Sequence, residues 1–190
     1  LASPPAIRIG LETWISGGKP CYVAAVPYAP GIRVFRSPIH GYGIRAVDGF
    51  QPGDTIADVE GVLYKEDDLV DDRYCLWVDD GFYFDMVDQT RWINHACDPN
   101  AEIEAELDGE GGAWARVIAL RAIQPGEEIT YHYGFPLDLA ERCTCGDKGC
   151  AGWIVDPDYL PELLARIAFD RTTTAASAPR PDAQSPNTLR

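Results

Sequence analysis

Between Arg91 and Asn100 the chain reads Arg-Trp-Ile-Asn-His-Ala-Cys-Asp-Pro-Asn, and no other stretch restricts the fold as tightly. Asn94, His95 and Cys97 put an amide, an imidazole and a thiol within four residues. Asp98-Pro99-Asn100 then stops the backbone, because a proline ring clashes with a helical conformation at the residue before it. The apolar pair Trp92-Ile93 predicts a strand or short helix that delivers the polar group to a tight corner. A thiol so close to an imidazole fits a metal site or a nucleophile with its base. It equally fits a turn capped by Asn and His beside a buried Cys, so these ten residues leave all three readings open.

Two later stretches add to it. Gly126-Glu127-Glu128-Ile129-Thr130-Tyr131-His132-Tyr133-Gly134 is a turn followed by a β-prone run, with two tyrosines two residues apart and therefore on one face of a strand. Cys143-Thr144-Cys145-Gly146-Asp147-Lys148-Gly149-Cys150 holds three thiols in eight residues. With Cys97 these make four, the number that a closed structural zinc site requires. Upstream, Ser37-Pro38-Ile39-His40-Gly41-Tyr42-Gly43-Ile44-Arg45-Ala46 carries two glycines around one residue, which lets a backbone approach a ligand closely. The four motifs, in this order, resemble those of the SET-domain protein lysine methyltransferases with a cysteine-rich post-SET tail, over about Arg33 to Trp153.

The resemblance implies a fold and a set of roles. The fold is mainly β with short helices, a SET fold of small sheets around a threaded pseudoknot, followed by a zinc-binding post-SET segment. The reaction is methyl transfer from S-adenosyl-L-methionine to the ε-amine of a lysine in a basic protein, a histone or another. Tyr133, Tyr131 and Tyr74 would line the catalytic lysine channel. Gly41, Tyr42, Gly43, Asn94, His95, Tyr133 and Trp153 would bind the cofactor. Cys97, Cys143, Cys145 and Cys150 would hold one structural zinc. Ala96 stands where the family usually has Ser and His132 where Asp is common, which bears on local hydrogen bonding rather than on the transfer chemistry. The alternative is a catalytically silent SET module that binds a peptide or protein partner. A zinc hydrolase using His40, His95 or His132 is disfavoured, because four thiolates leave no open position for water.

Composition limits the partners. The net charge of −14 over 190 residues argues against direct contact with a phosphate backbone and suits a Lys/Arg-rich protein or peptide drawn in by long-range attraction. No apolar run approaches the roughly 18 residues of a membrane span, and no basic-then-apolar leader opens the chain. A soluble intracellular protein, cytoplasmic or nuclear, is the expectation, and nothing in the sequence specifies an oligomeric state. Clustered thiols without a secretory leader favour metal over disulfides, while Cys21 and Cys75 stand apart as ordinary thiols.

Residues 1–31 are a Gly/Pro-rich N-terminal flank, 32–134 the SET domain and 135–153 the post-SET segment. A C-terminal helix over 154–169 and a disordered tail over 170–190 complete the predicted order. Ile32 to Phe35 and Thr55 to Val62 read as strands. The acidic run Glu66, Asp67, Asp68, Asp71 and Asp72 reads as a solvated face within a short insert. Tyr74 to Asp85 reads as a hairpin turning at Asp79-Asp80-Gly81. Ala101 to Leu107 alternates strictly, with Glu102, Glu104 and Glu106 toward solvent, and Trp114 to Leu120 returns. Asp158 is placed to cap the final helix, with Leu160, Leu163, Leu164 and Ile167 on one stripe.

Overall fold

The computed structural model describes residues 29–68, 73–79 and 81–177. The expectations for the flank before residue 29, including Cys21, and for Asp71, Asp72 and Asp80 lie outside the described residues, as does the tail beyond 177. Among the described residues the elements are strands β1 (Ile32–Arg36), β2 (Tyr42–Ala46), β3 (Thr55–Val59), β4 (Gly61–Lys65), β5 (Cys75–Asp79) and β6 (Phe82–Met86). There follow β7 (Asn94–His95), β8 (Ala101–Leu107), β9 (Ala113–Ala119), β10 (Glu128–Tyr131), β11 (Glu141–Arg142) and β12 (Trp153–Ile154), then helix α1 (Leu160–Ser177). Three short 3-10 turns complete the list, at Glu66–Asp68, Gln89–Trp92 and Leu137–Leu139.

The strands form small separate sheets, ordered β1-β2-β10-β7, β3-β9-β8, β4-β6-β5 and β11-β12. Their apolar faces meet in one core. Ile32, Ile44, Ile93, Ile123, Ile129 and Val117 are all fully buried there, and Phe84 and Met86 reach it from β6. The β8–β9 hairpin is paired in full register from Ala101↔Ala119 to Leu107↔Ala113, and Glu102, Glu104 and Glu106 are exposed as their alternation predicts. β5 and β6 form the antiparallel pair expected between Tyr74 and Asp85.

One strand expectation fails instructively. Thr55 to Val62 is two strands, because Glu60 is the crossing point between two sheets. Its N–H donates to Asp88 Oδ2 at 3.1 Å and its carbonyl accepts from Val87 N–H at 2.9 Å. β3 then pairs with β9, while β4 pairs with β6. Alternation continues through the break, so periodicity alone reads straight across it.

Three differences arise at the C-terminal end. The helix begins at Leu160 with Pro161 in its first turn, and runs to Ser177 rather than ending at 169. Once its first turns are fixed, each further residue costs only its own ordering, so an Ala-containing continuation propagates. Asp156, not Asp158, accepts a backbone N–H at the approach, from Asp158 itself at 2.9 Å. The apolar stripe is also narrower than expected, since Leu163 is buried but Leu164 is exposed.

Candidate active site and thiolate cluster

The 3-10 turn Gln89–Trp92 delivers the Asn-His segment. Asp88 caps it, its carboxylate accepting the Thr90 N–H at 2.9 Å and also the Thr90 hydroxyl. β7 then lies parallel to β10 with Asn94 opposite Thr130 and His95 opposite Tyr131, so the first and second motifs become neighbours. Asn100, buried beyond the Asp-Pro turn, fastens the arrangement. Its Oδ1 accepts the Thr130 N–H at 2.9 Å and its Nδ2 donates to the Glu128 carbonyl at 2.7 Å.

Asn94 is buried, and its amide has a fixed orientation. Nδ2 faces the Tyr42 carbonyl at 2.9 Å, the Glu128 carboxylate at 2.9 Å and the His40 carbonyl at 3.3 Å. All three are acceptors, so the amide cannot flip without facing oxygen to oxygen. Oδ1 is thereby left as an acceptor with no protein donor among the described residues. Ser37 donates its hydroxyl to the same Glu128 carboxylate at 2.7 Å. An acceptor held this way suits a ligand ammonium group, and that is the observation by which the residues fit an amino-acid-bearing cofactor.

Gly41 and Gly43 differ in what they do. Gly41 has φ +47 in open space, a conformation that favours glycine at a turn. Gly43 is closely packed by side chains. A Cβ there would strike Glu128 Oε1 and approach both Asn94 Nδ2 and Ser37 Cβ to 3.0 Å. Gly43→Ala is therefore expected to cost about 1–3 kcal/mol of stability through overpacking. A melting temperature equal to that of the parent, measured by calorimetry, would show that the Ser37–Glu128–Asn94 group can move aside.

Aromatic rings form two linked groups around this segment. Tyr131 and Tyr133 have ring centroids 4.8 Å apart, and Phe135 lies 5.4 Å beyond Tyr133. Trp92 stands between Tyr42 at 5.5 Å and Tyr74 at 5.4 Å. The Arg91 guanidinium lies 4.1 Å above the Tyr74 ring. The Tyr133 hydroxyl donates to the Ile93 carbonyl at 2.9 Å. Burial pushes the Tyr133 phenol up to about 12 and raises that of Tyr131 as well, so both stay neutral at physiological pH.

His95 is buried against Tyr133, with ring centroids 5.4 Å apart. Tyr133 N–H donates to its Nδ1 at 3.2 Å, and its Nε2 lies 3.4 Å from Cys97 Sγ. Burial, reinforced by the neighbouring His132, lowers its pKa to about 4 and keeps the ring neutral. His132 packs edge-on against it with centroids 4.7 Å apart and accepts the Gly134 N–H, a local role open to its imidazole.

The four predicted thiols come together. The sulfur atoms of Cys97, Cys143, Cys145 and Cys150 all lie within 4.8 Å of one another. Cys97 is 3.8 Å from Cys143 and 3.7 Å from Cys150. A tetrahedral zinc with bonds of about 2.3 Å would set sulfurs about 3.8 Å apart, so the cluster fits that ion. Without a cation, burial pushes Cys97 up to about 11 and raises Cys143 too, so metal entry must displace protons. The backbone N–H of Gly152 holds Cys150 below the usual thiol range. Asp147 accepts the Asp98 N–H at 2.9 Å, and Thr144 donates to the Ile39 carbonyl at 3.4 Å, tying the cysteine tail to two of the three earlier motifs. Trp153, paired with Arg142 across β11–β12, carries that guanidinium 3.9 Å from its ring centre.

Sequence reasoning missed Ser37, Trp92, Asn100, Glu128 and Asp147. Trp92 carries a usable signal, an aromatic two residues before Asn94, which apolar patterning alone does not distinguish from a strand residue. Cys75 stands on β5, outside the thiol cluster.

Small β-sheets, a buried Asn-His segment beside paired tyrosines and a cluster of four thiols define a mostly β protein. Residues 41–134 match the SET domain family. The human protein named histone-lysine N-methyltransferase 2B is 33% identical over 138 residues, covering 63% of this chain and 5% of its own. Histone-lysine N-methyltransferase trithorax of Drosophila virilis is 33% identical over 141 residues, covering 67% and 4%. A crystal structure of KRYPTONITE with mCHG DNA and SAH superposes with a TM-score of 0.56 at 27% identity, covering 65% of this chain and 28% of that one. Another, with mCHH DNA, H3(1-15) peptide and SAH, gives 0.56 at 26%, covering 65% and 29%. The chain belongs to the SET-domain family. It spans only 4–5% of the length of these curated relatives.

Proposed function

We propose that this protein transfers a methyl group from S-adenosyl-L-methionine to the ε-amine of a lysine in a basic protein or peptide, and that its four cysteines hold one structural zinc. The observation that carries the proposal is the fixed Asn94 amide beside the Tyr131–Tyr133 pair. The relatives' names and the SAH present in both KRYPTONITE structures support it. The cofactor, when bound, supplies an electrophilic methyl group on a sulfonium.

The residues have few tasks to perform. Asn94 Oδ1 would accept from the cofactor's ammonium, with Gly41, Tyr42, Gly43, the His95 backbone and Trp153 completing its surroundings. A substrate lysine has a reference pKa of about 10.4 and must enter neutral. The aromatic surface of Tyr74, Tyr131 and Tyr133 disfavours an ammonium by desolvation. Tyr133 remains protonated and already donates its one hydroxyl proton to Ile93, so it is not the base; the proton leaves to solvent. Its oxygen orients the methyl group, and alignment alone supplies roughly 7–11 kcal/mol when reacting atoms are held in near-attack geometry.

A basic protein substrate fits the charge of −14 and the peptide in one KRYPTONITE structure. Both KRYPTONITE structures contain DNA, so the family does not exclude nucleic acid. The acidity of this chain is what favours protein over DNA. Among the described residues no helix is long and apolar enough to cross a membrane.

Tyr131 sets the product in this reading. Its hydroxyl occupies space that a growing methylammonium needs and can hold an ordered water near the amine. The parent should yield mostly monomethyl-lysine with some dimethyl. Tyr131→Phe should shift products toward di- and trimethyl-lysine while the first transfer stays nearly as fast. Mass spectrometry at matched turnover reads this directly, and an unchanged product series removes Tyr131 from that role.

A further inference from the structure

Two side chains among the described residues reach the cysteine cluster without belonging to it, the Asp147 carboxylate and the His95 imidazole, and the imidazole brings a proton donor. The backbone N–H of Tyr133 donates to His95 Nδ1, so that nitrogen carries no proton. The single N–H of the neutral ring is therefore on Nε2, aimed at Cys97 Sγ 3.4 Å away. Other sulfurs receive backbone donors. Cys145 N–H reaches Cys143 Sγ at 3.4 Å and Gly152 N–H reaches Cys150 Sγ at 3.3 Å. Cys97 also receives the backbone of Ala151. The Cys145 thiol points to the Asp147 carboxylate at 3.3 Å. Among the described residues, His95 is the one side chain that offers an N–H to the cluster. It cannot turn away easily, since it is buried and flanked by His132 at 4.7 Å and Tyr133 at 5.4 Å between ring centres.

We propose that the His95 imidazole is a positioning residue that couples the metal cluster to the tyrosine wall: its Nε2–H donates to the Cys97 thiolate while its Nδ1 holds the main chain of Tyr133. This rests on the zinc reading above and is separate from any contact between the His95 backbone and the cofactor. Four thiolates around a divalent cation leave two net negative charges in a partly buried place. An N–H directed at one sulfur draws off some of that charge and favours the metal-bound thiolate. The same ring passes any displacement of Cys97 to Tyr133, which lies two residues beyond the last β10 residue paired with β7 and donates its hydroxyl to the Ile93 carbonyl just before β7. Zinc thus does more than close the tail: its presence fixes where Tyr133 sits.

Two substitutions separate the two ends of the ring. In His95→Asn the shorter amide reaches the place of Nδ1, keeping an acceptor for Tyr133 N–H but losing the donor to sulfur. In His95→Gln the longer amide reaches the place of Nε2, keeping the donor and losing the acceptor. Zinc content would be measured first, on the reduced 190-residue chain, followed by the rate of zinc release to a chromogenic chelator and by steady-state methyl transfer to histones. His95→Asn should release zinc about tenfold faster and should lose less kcat than His95→Gln. His95→Gln should release zinc near the parent rate with a reduced kcat. Release at the parent rate from both variants overturns the proposal. So does an equal acceleration in both with equal losses of melting temperature, which marks a packing role alone. A parent chain that holds no zinc overturns the metal reading itself, a result distinct from a zinc-loaded parent indifferent to His95→Asn.

Discussion

Cys145→Ser is expected to release one zinc per chain and to loosen residues 136–153 while the sheets remain folded. That segment has little else to hold it. β11 and β12 pair over two residues each, and besides the sulfur contacts of Cys97 the segment is tied to earlier motifs by single hydrogen bonds from Thr144 to Ile39 and from Asp98 to Asp147. A structural zinc contributes on the order of 10 kcal/mol of coupled binding energy, far more than those contacts. The core around Ile32, Ile44, Ile129 and Val117 involves none of the four thiols. Metal analysis and amide hydrogen exchange check this together. Exchange should rise between Pro136 and Trp153 and stay slow in β8, β9 and β10. Zinc-free parent protein prepared under reducing conditions, or unfolding of the whole chain in the variant, would contradict it.

The second large effect concerns Asn94 and Tyr133, which should fail in different ways. Asn94→Ala removes the acceptor for a charged amine, a hydrogen bond worth about 1.5–3 kcal/mol. Cofactor affinity should fall about tenfold to a hundredfold. Some stability is lost too, because the Glu128 carboxylate and the Tyr42 carbonyl lose their shared donor. Tyr133→Phe leaves the ring packing against Tyr131, Phe135 and His95 in place and removes only the hydroxyl. Misplacing a reacting group by about an ångström costs on the order of a hundredfold in rate, so kcat should drop by that order while cofactor binding holds. Calorimetric titration with cofactor and single-turnover kinetics separate the two. Equal effects of both variants on binding would remove the distinction between holding and orienting.

The four thiols were legible in the sequence because ligand number and spacing are local facts for three of them, and the corner at Cys97 supplied the fourth. The β8–β9 hairpin was legible for a similar reason: its glutamates alternate within a single strand. What stayed hidden depends on partners far apart in the chain. Glu128 looks like a solvent-facing residue of a turn, yet its carboxylate is shared by Ser37 and Asn94, 91 and 34 positions away. Asn100 looks like a turn residue after Asp-Pro and instead fastens Thr130, 30 positions on. Glu60 gives no break in alternation, and only Asp88 reveals that two sheets part there. Gly43 was legible as a position needing a small residue, but the reason is a carboxylate and an amide against its Cα rather than a ligand alone. Hydrogen-bond partnership at long range leaves no period to read.

Methyl transfer itself is the most direct test. Purified zinc-containing protein would be incubated with methyl-labelled S-adenosyl-L-methionine and a panel of basic proteins, histones included, with labelled residues mapped by mass spectrometry and Tyr133→Phe run in parallel. A SET-domain lysine methyltransferase should place label on lysine ε-amines, chiefly as monomethyl-lysine, with transfer depressed about a hundredfold in the Tyr133→Phe variant. Label confined to residues other than lysine, or no transfer to any basic protein by a chain that binds the cofactor, would contradict that function.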